Sequence, residues 1–132
     1  MSSWLGLRHV ALNVRDLAQS LEFYQRVLGM QIEWQPDPGN AYLTSGMDNL
    51  ALHQVPVSGS ESPADWQKLD HFGFVVKLPE DVDAWARKVK SLGILLDQEP
   101  RTHRDGARSF YFRDPDQNRI QIIYHPPISD RE

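Results

Sequence analysis

The sequence predicts an α+β fold made of two tandem βαβββ modules, and three observations carry that expectation. The order strand, helix and three strands runs through the chain twice. A histidine, His9 and then His71, sits at the same place in the opening strand of each pass. Each helical stripe ends at a glycine, Gly29 and then Gly93. Agreement of element order, helix stops and histidine placement marks an internal duplication. At 132 residues the chain suits one domain and is short for two independent cores. The first module is expected over about residues 6–56 and the second over about 69–125, joined by a linker over 57–68.

In the first module, Val10, Leu12 and Val14 share one face of a strand opened by Leu7 and Arg8. Asp16, with Gln19 three residues on, forms an N-cap and capping box. Leu17, Leu21, Tyr24 and Leu28 then recur at helical spacing up to Gly29. Strands are expected at Met30 to Trp34, Ala41 to Thr44 and Asn49 to Val55, with turns at 36–40 and 46–48. Residues 57–68 are rich in Pro, Ser and Gly without a period, hence the linker.

The second module opens on Leu69 to Val76, with Phe72, Phe74 and Val76 on one face. Pro79 and Glu80 start a helix whose stripe is Val82, Trp85, Val89 and Leu92. Strands follow at Ile94 to Leu96, Arg108 to Arg113 and Arg119 to Tyr124, the last two joined by a tight turn at 114–118. Under the repeat, Leu50-Ala51-Leu52 superposes on Ile120-Gln121-Ile122.

Composition narrows the function classes. Apolar residues make up 40% of the chain and charged residues 24%, an ordinary globular balance. No apolar run approaches a membrane span, and the first residues have neither the basic nor the apolar region of a signal peptide. A cytoplasmic location is the expectation. A net charge of −4 without a basic stripe argues against nucleic acid. With no cysteine there is no disulfide and no thiolate site, so a metal would rest on histidine, carboxylate or amide ligands.

Four segments resemble signatures of the vicinal oxygen chelate superfamily, which includes glyoxalase I, bleomycin-resistance proteins, fosfomycin-resistance transferases and extradiol dioxygenases. The openings Leu7 to Val14 and Leu69 to Val76 resemble its first strands. Leu21-Glu22-Phe23-Tyr24-Gln25-Arg26-Val27-Leu28-Gly29-Met30 resembles its helix end, and Phe110 to Gln121 its "YFxDPDGNxIE" hairpin. The likeness runs from about residue 6 to 125. It implies sheets curled into half-barrels with helices outside and a ligand cleft inside, often completed by a second subunit. The scaffold hosts many chemistries, so the fold alone does not name one.

Strand alternation selects the side chains expected to face that cleft: His9, Ala11 and Asn13; His71, Gly73 and Val75; Arg119, Gln121 and Ile123; Ala51 and His53. The resemblance implies a divalent metal (Fe, Mn, Ni, Co or Zn) held by His9, His71 and Gln121, acting as a Lewis acid on a chelated substrate. Gln121 stands where the superfamily usually has a carboxylate, and Ala51 is its first-module counterpart. An amide oxygen can coordinate but cannot take a proton. His53 is therefore a candidate base or further ligand, and Gln121 and His53 are the candidate catalytic residues. Ser109 and Tyr111 alternate with Phe110 and Phe112, so their hydroxyls, with Asn13, are candidates for substrate binding. One of Arg101, Arg104 and Arg108 could hold an anionic substrate. Trp34, Tyr42 and Trp66 are candidate wall residues, and His103 and His125 read as loop residues.

The leading expectation is a metal-dependent lyase or isomerase acting on a small oxygen-rich molecule. The alternatives are a metal-free sequestering protein of the bleomycin-resistance type, a ring-cleaving dioxygenase or thiol transferase, and a vestigial or regulatory partner. Unpaired sheet edges, together with the resemblance, favour a homodimer.

Overall fold

A computed structural model describes residue 5 and residues 7–56 and 69–130. The expected linker and Trp66 fall outside the described residues. The chain divides into two compact units, Met1–Asp65 and Trp66–Glu132.

The first unit contains β1 (His9–Val14), α1 (Leu17–Leu28), β2 (Gln31–Asp37), β3 (Asn40–Thr44) and β4 (Asn49–Gln54). The second contains β5 (Phe72–Val76), α2 (Pro79–Ser91), β6 (Leu96–Thr102), β7 (Arg108–Arg113) and β8 (Arg119–Tyr124). A short α3 (Pro126–Ser129) follows. Each unit forms a four-stranded mixed sheet, in the orders β1-β4-β3-β2 and β5-β8-β7-β6. Within each sheet the first strand pairs parallel with the last, and the other pairings are antiparallel. Neither sheet closes into a barrel.

The expected duplication is visible in the register. Val10, Ala11 and Leu12 lie opposite Leu50, Ala51 and Leu52, as Phe72, Gly73 and Phe74 lie opposite Ile120, Gln121 and Ile122. Irregularities also repeat: β2 slips between Ile32, Trp34 and Asp37, and β6 between Leu96, Gln98 and Arg101. Both edge strands outrun their expected lengths, passing through Pro36 and Pro100. A proline cannot donate to a ladder, but an edge strand with a bulge has no donor required at that place. The turn expected over 36–40 shrinks accordingly to Pro38-Gly39, and the strand expected at Ile94 begins at Leu96. His71 stands just before β5 instead of inside it.

One face of each sheet is closed by its helix. Along β1, Leu12 and Val14 are buried while His9, Ala11 and Asn13 are exposed. In α1 the buried stripe is Leu17, Ser20, Leu21, Phe23, Tyr24 and Val27, so Phe23 and Val27 take the place expected of Leu28. In α2 the stripe is Val82, Ala86 and Val89. Trp85 is only half-buried, with the Lys88 ammonium 4.7 Å from its ring centre. The Asp16 carboxylate accepts from Gln19 N at 3.1 Å, and Gln54 Oε1 reaches across from β4 to accept from Leu17 N at 2.8 Å. Two of the orphan donors at the start of α1 are thereby satisfied. Phe110, Phe112, Ile120 and Ile122 form the buried core side of β7 and β8. The bidentate pair from Arg108 Nε and Nη2 to Asp83 (2.9 and 2.7 Å) ties β7 to α2.

The turn at 114–118 is held by one buried carboxylate. Asp114 Oδ1 accepts from Asp116 N and Asn118 N at 2.9 and 2.8 Å, and its Oδ2 accepts from Asn118 Nδ2 at 2.8 Å. Gln117 adopts a left-handed conformation there, φ 67°. That conformation costs a residue with a side chain roughly 1–2 kcal/mol, and glycine returns roughly 0.5–1 kcal/mol of it through chain entropy. Gln117→Gly is expected to raise unfolding free energy by ~0.5–1 kcal/mol in urea titrations. Asp114→Ala, which removes three bonds to a buried acceptor, is expected to lower it by ~2–4 kcal/mol.

The pair with Arg108 also sets a pH dependence. The hydrogen bonds from Arg108 hold the Asp83 carboxyl below its ordinary 3.8. A depressed carboxyl stabilises the fold above its unfolded value and loses that contribution as pH falls through the folded one. With the Asp83 side chain 37% exposed, solvent screening limits the effect to ~1 kcal/mol or less. Asp83→Asn is expected to cost that much at neutral pH and nothing well below pH 3.8, as read by thermal unfolding at the two pH values.

Candidate functional site

The face of each sheet opposite its helix collects the polar side chains that strand alternation assigns to it. In the first unit His9 lies opposite Asn49, Ala11 opposite Ala51, and Asn13 opposite His53. His9 Nδ1 lies 2.9 Å from Asn49 Oδ1, and Asn49 Nδ2 donates to Glu33 Oε1 at 3.1 Å. Because a carboxylate only accepts, Glu33 settles which end of the Asn49 amide meets the histidine. His9 therefore carries its proton on Nδ1 and leaves Nε2 with a free lone pair. His53 repeats the arrangement. Its Nδ1 lies 2.7 Å from Asn40 Oδ1, while Asn40 Nδ2 donates to the Asp37 carboxylate at 3.0 Å.

His9 and His53 share this face but sit at opposite ends of the β1–β4 pairing. Four strand residues separate them, roughly 13 Å along the strand. Tyr42 meets His53 edge-on with ring centres 5.9 Å apart, and Trp34 stacks on Tyr42 at 5.2 Å. Trp34 remains 60% exposed.

In the second unit, His71 Nδ1 is 2.6 Å from Asp70 Oδ1, which again leaves Nε2 as the acceptor. The hydrogen bond from His71 holds the Asp70 carboxyl below its ordinary range. Tyr111 lies opposite Gln121 on the β7–β8 ladder. Gln121 Nε2 donates to the Tyr111 hydroxyl at 3.0 Å. The rings of His71 and Tyr111 are perpendicular with centres 5.5 Å apart, and the Arg119 guanidinium lies 3.9 Å from the Tyr111 ring centre. His71, Tyr111 and Gln121 are thus brought together as one cluster.

That cluster borders an open depression of about 600 Å³, lined by Tyr111, Gln121, Ile123, Arg101, His103 and Arg104, with Asp105, Ala107 and His125 completing it. A volume of this order suits a small molecule. His103 N donates to Ala107 O at 2.6 Å and Gly106 N to His103 O at 3.0 Å, a tight loop made possible by Gly106 at φ 88°. The loop brings His103 and Arg104 to the depression. His125, at the end of β8, is also there, so both loop histidines belong to its lining.

Three expectations need correction. Ser109 is fully buried, and its hydroxyl is 3.0 Å from His103 Nε2, so it supports the lining from behind instead of facing a ligand. Arg108 turns to Asp83 on α2 and away from the depression. Arg101 and Arg104 line it, so two arginines, not one, are placed to meet an anion there. Asn13 is exposed on the face of β1 shared with His9. Among the described residues, no three of His, Asp and Glu gather as a ready metal cluster. The partners Asn49, Asn40, Glu33 and Asp37 escaped sequence reasoning, because they reach the histidines across strands. Asp70, although adjacent to His71, was not singled out by sequence reasoning either.

Comparison with known proteins agrees with this architecture. The model of the glyoxalase/bleomycin resistance protein/dioxygenase superfamily matches residues 6–122. A glutathione transferase FosA of Serratia marcescens is 28% identical, over 89% of this chain and 79% of its own. A trivalent organoarsenical cleaving enzyme of a Bacillus species is 30% identical, over 90% of this chain and 79% of its own. The crystal structure of lactoylglutathione lyase from Agrobacterium tumefaciens superposes with a TM-score of 0.78, covering 96% and 98% of the two chains at 19% identity, a likeness of fold. The chain belongs to the glyoxalase/bleomycin resistance protein/dioxygenase superfamily.

Proposed function

We propose that this protein is a divalent-metal-dependent enzyme, a lyase or isomerase, acting on a small oxygen-rich substrate that chelates the metal. The ligands in this reading are His9, His71 and Gln121. One observation carries it: in both histidines Nδ1 is engaged by an oxygen acceptor, so each Nε2 lone pair is left to bind. Metal-ligating histidines ordinarily have their second nitrogen held in this way. The Gln121 amide likewise spends its nitrogen on Tyr111 and keeps its oxygen. Two imidazole nitrogens and an amide oxygen form a donor set that a divalent first-row ion accepts.

This donor set is electrically neutral, which favours a substrate that brings negative charge of its own. When bound, the ion would supply Lewis acidity toward the paired oxygens of the substrate. The remaining work falls to the chain. Gln121 cannot accept a proton, so the base is His53, whose Nε2 lone pair is free and whose imidazolium form would be steadied through Asn40 by Asp37. His53 lies roughly 13 Å along the strand from His9, so it would act on a proton of the substrate remote from the chelated oxygens, in a molecule extending over Ala11. Asn13 and the Tyr111 hydroxyl orient it, and Arg101 and Arg104 attract an anionic group.

A second reading, thiol transfer, draws support from the likeness to a glutathione transferase and from the same two arginines. Both readings treat the protein as a homodimer, supported by β2, an edge strand exposed along its whole length.

Elemental analysis of the purified protein separates these readings from metal-free sequestration. We expect about one divalent ion per chain in the native protein and loss of it in the His9→Ala, His71→Ala double variant. Equal metal content in the two would end the proposal. Gln121→Glu, which adds a charge at the same place, is expected to tighten Mn²⁺ binding by roughly tenfold or more. Unchanged affinity would place Gln121 outside the site.

A further inference from the structure

Four of the five histidines have a ring nitrogen held by a neighbouring side chain, and one of the four differs in what holds it. His9, His53 and His71 face amide or carboxylate oxygens, which only accept. His103 Nε2 instead lies 3.0 Å from the Ser109 hydroxyl. A hydroxyl can donate or accept, so its surroundings decide which it does.

Those surroundings are dry. Ser109 has no exposed surface, and among the described residues His103 Nε2 is the single partner of its side chain. If the ring donated to the serine, the hydroxyl hydrogen would be left in the interior without an acceptor. Protein interiors tolerate a spare oxygen lone pair more readily than a hydrogen with nowhere to go. Ser109 therefore donates to Nε2, and the neutral His103 ring carries its proton on Nδ1. This is the reverse of the other three rings: His103 offers a donor where they offer an acceptor.

The strands and the loop direct that donor to the depression. On the sheet, Ser109 lies between its register partners Arg101 and Ile123, which both line the depression. The His103 ring lies over the middle of this row. Its main chain is already spent, with N donating to Ala107 O at 2.6 Å and O accepting from Gly106 N at 3.0 Å. Nδ1, on the other side of the ring from Ser109, has no partner among the described residues. Arg104 follows in the same loop.

Charge favours an anion at this place. Three other arginines of the second unit are taken, Arg108 by Asp83 and both Arg113 and Arg119 by Asp97. Arg101 and Arg104 have no acidic partner among the described residues, and both line the depression. Asp105, the one acidic residue of the lining, has Oδ1 engaged by Ala107 N at 3.0 Å.

We propose that Ser109 is a positioning residue that fixes His103 as an Nδ1–H donor, and that His103 joins Arg101 and Arg104 in a three-armed site for the oxyanion group of a small molecule. The inference rests on the reading of the two arginines as an anion-binding pair, and it needs no metal. Because the donor belongs to the neutral ring, the site does not depend on a charged histidine.

Two readouts test it, both taken well above the ordinary histidine pKa of about 6.5. The first is the long-range ¹H–¹⁵N spectrum of the native chain, with the His103 ring assigned by its loss in His103→Ala. Nδ1 is expected to resonate as a protonated ring nitrogen and Nε2 as an unprotonated one. The reverse pattern, or an average of the two, would overturn the proposal. The second is a titration with sodium sulfate against sodium chloride of equal ionic strength, followed on the backbone amides of residues 101–107. Sulfate only accepts hydrogen bonds and stays doubly charged at that pH. Saturable shifts are expected, with affinity lowered about tenfold in His103→Ala, the loss of one bond to a charged group. Ser109→Ala keeps the imidazole and is expected to weaken sulfate about twofold or more, as rings leave the donor tautomer. Sulfate binding that His103→Ala leaves unchanged would overturn the proposal alone, with the arginines keeping the anion. No saturable response in the native chain would end the anion reading and the proposal together.

Discussion

In each unit the parallel pairing of the first strand with the last decides what the rest can do. It places β1 beside β4 and β5 beside β8, at the opposite edge of each sheet from β2 and β6. Side chains at matched register then point the same way, and the helix covers only one of the two faces. Every second residue of these strands is committed to hydrocarbon, and its neighbour is committed to the opposite surface. Val14, Leu52, Ile120 and Ile122 fill the covered side, while His9, Asn13, His53 and Gln121 have no place but the other.

That other face is ordered by polar contacts more than by packing. Imidazoles near water can turn over and exchange tautomers, but here His9, His53 and His71 each give Nδ1–H to an oxygen fixed by its own partner or by its charge. The common result is that Nε2 is the nitrogen left to each ring for a further partner. Gln121 reaches the same condition by another route, handing its nitrogen to Tyr111. The superfamily to which the chain belongs includes enzymes of several kinds, so the chemistry is to be sought in these contacts and not in the fold.

The two modules have diverged unequally around a shared plan. Pro36 and Pro100 sit in matching irregular stretches of matching edge strands, and Gly29 and Gly93 close matching helices in left-handed conformations. These are backbone positions, constrained by geometry alone. The outward faces differ instead. One carries Ala51 and an aromatic wall of Trp34, Tyr42 and His53. The other carries Gln121 with Tyr111 and a depression edged by Arg101, Arg104, His103 and His125.

Element order, helix limits and the inward or outward assignment of β1, β5 and β8 were legible in the residues, because they follow from local periodicity and from glycine and proline preferences. The extent of the edge strands was not. Pro36 and Pro100 read as breakers until a bulged edge, with no donor required, accommodates them. The site divided in the same way. Alternation alone assigned His9, His71 and Gln121 to one kind of face. Which ring nitrogen of His9 and His53 is engaged, and that Arg108 is taken by Asp83, depend on partners from other strands or a helix. The sequence by itself determined the repeated architecture and the residues offered to the open face, since both arise from neighbours along the chain. Only the tertiary structure decided the orientation of each polar group, because a hydrogen bond between residues 10 to 40 positions apart leaves no period to read.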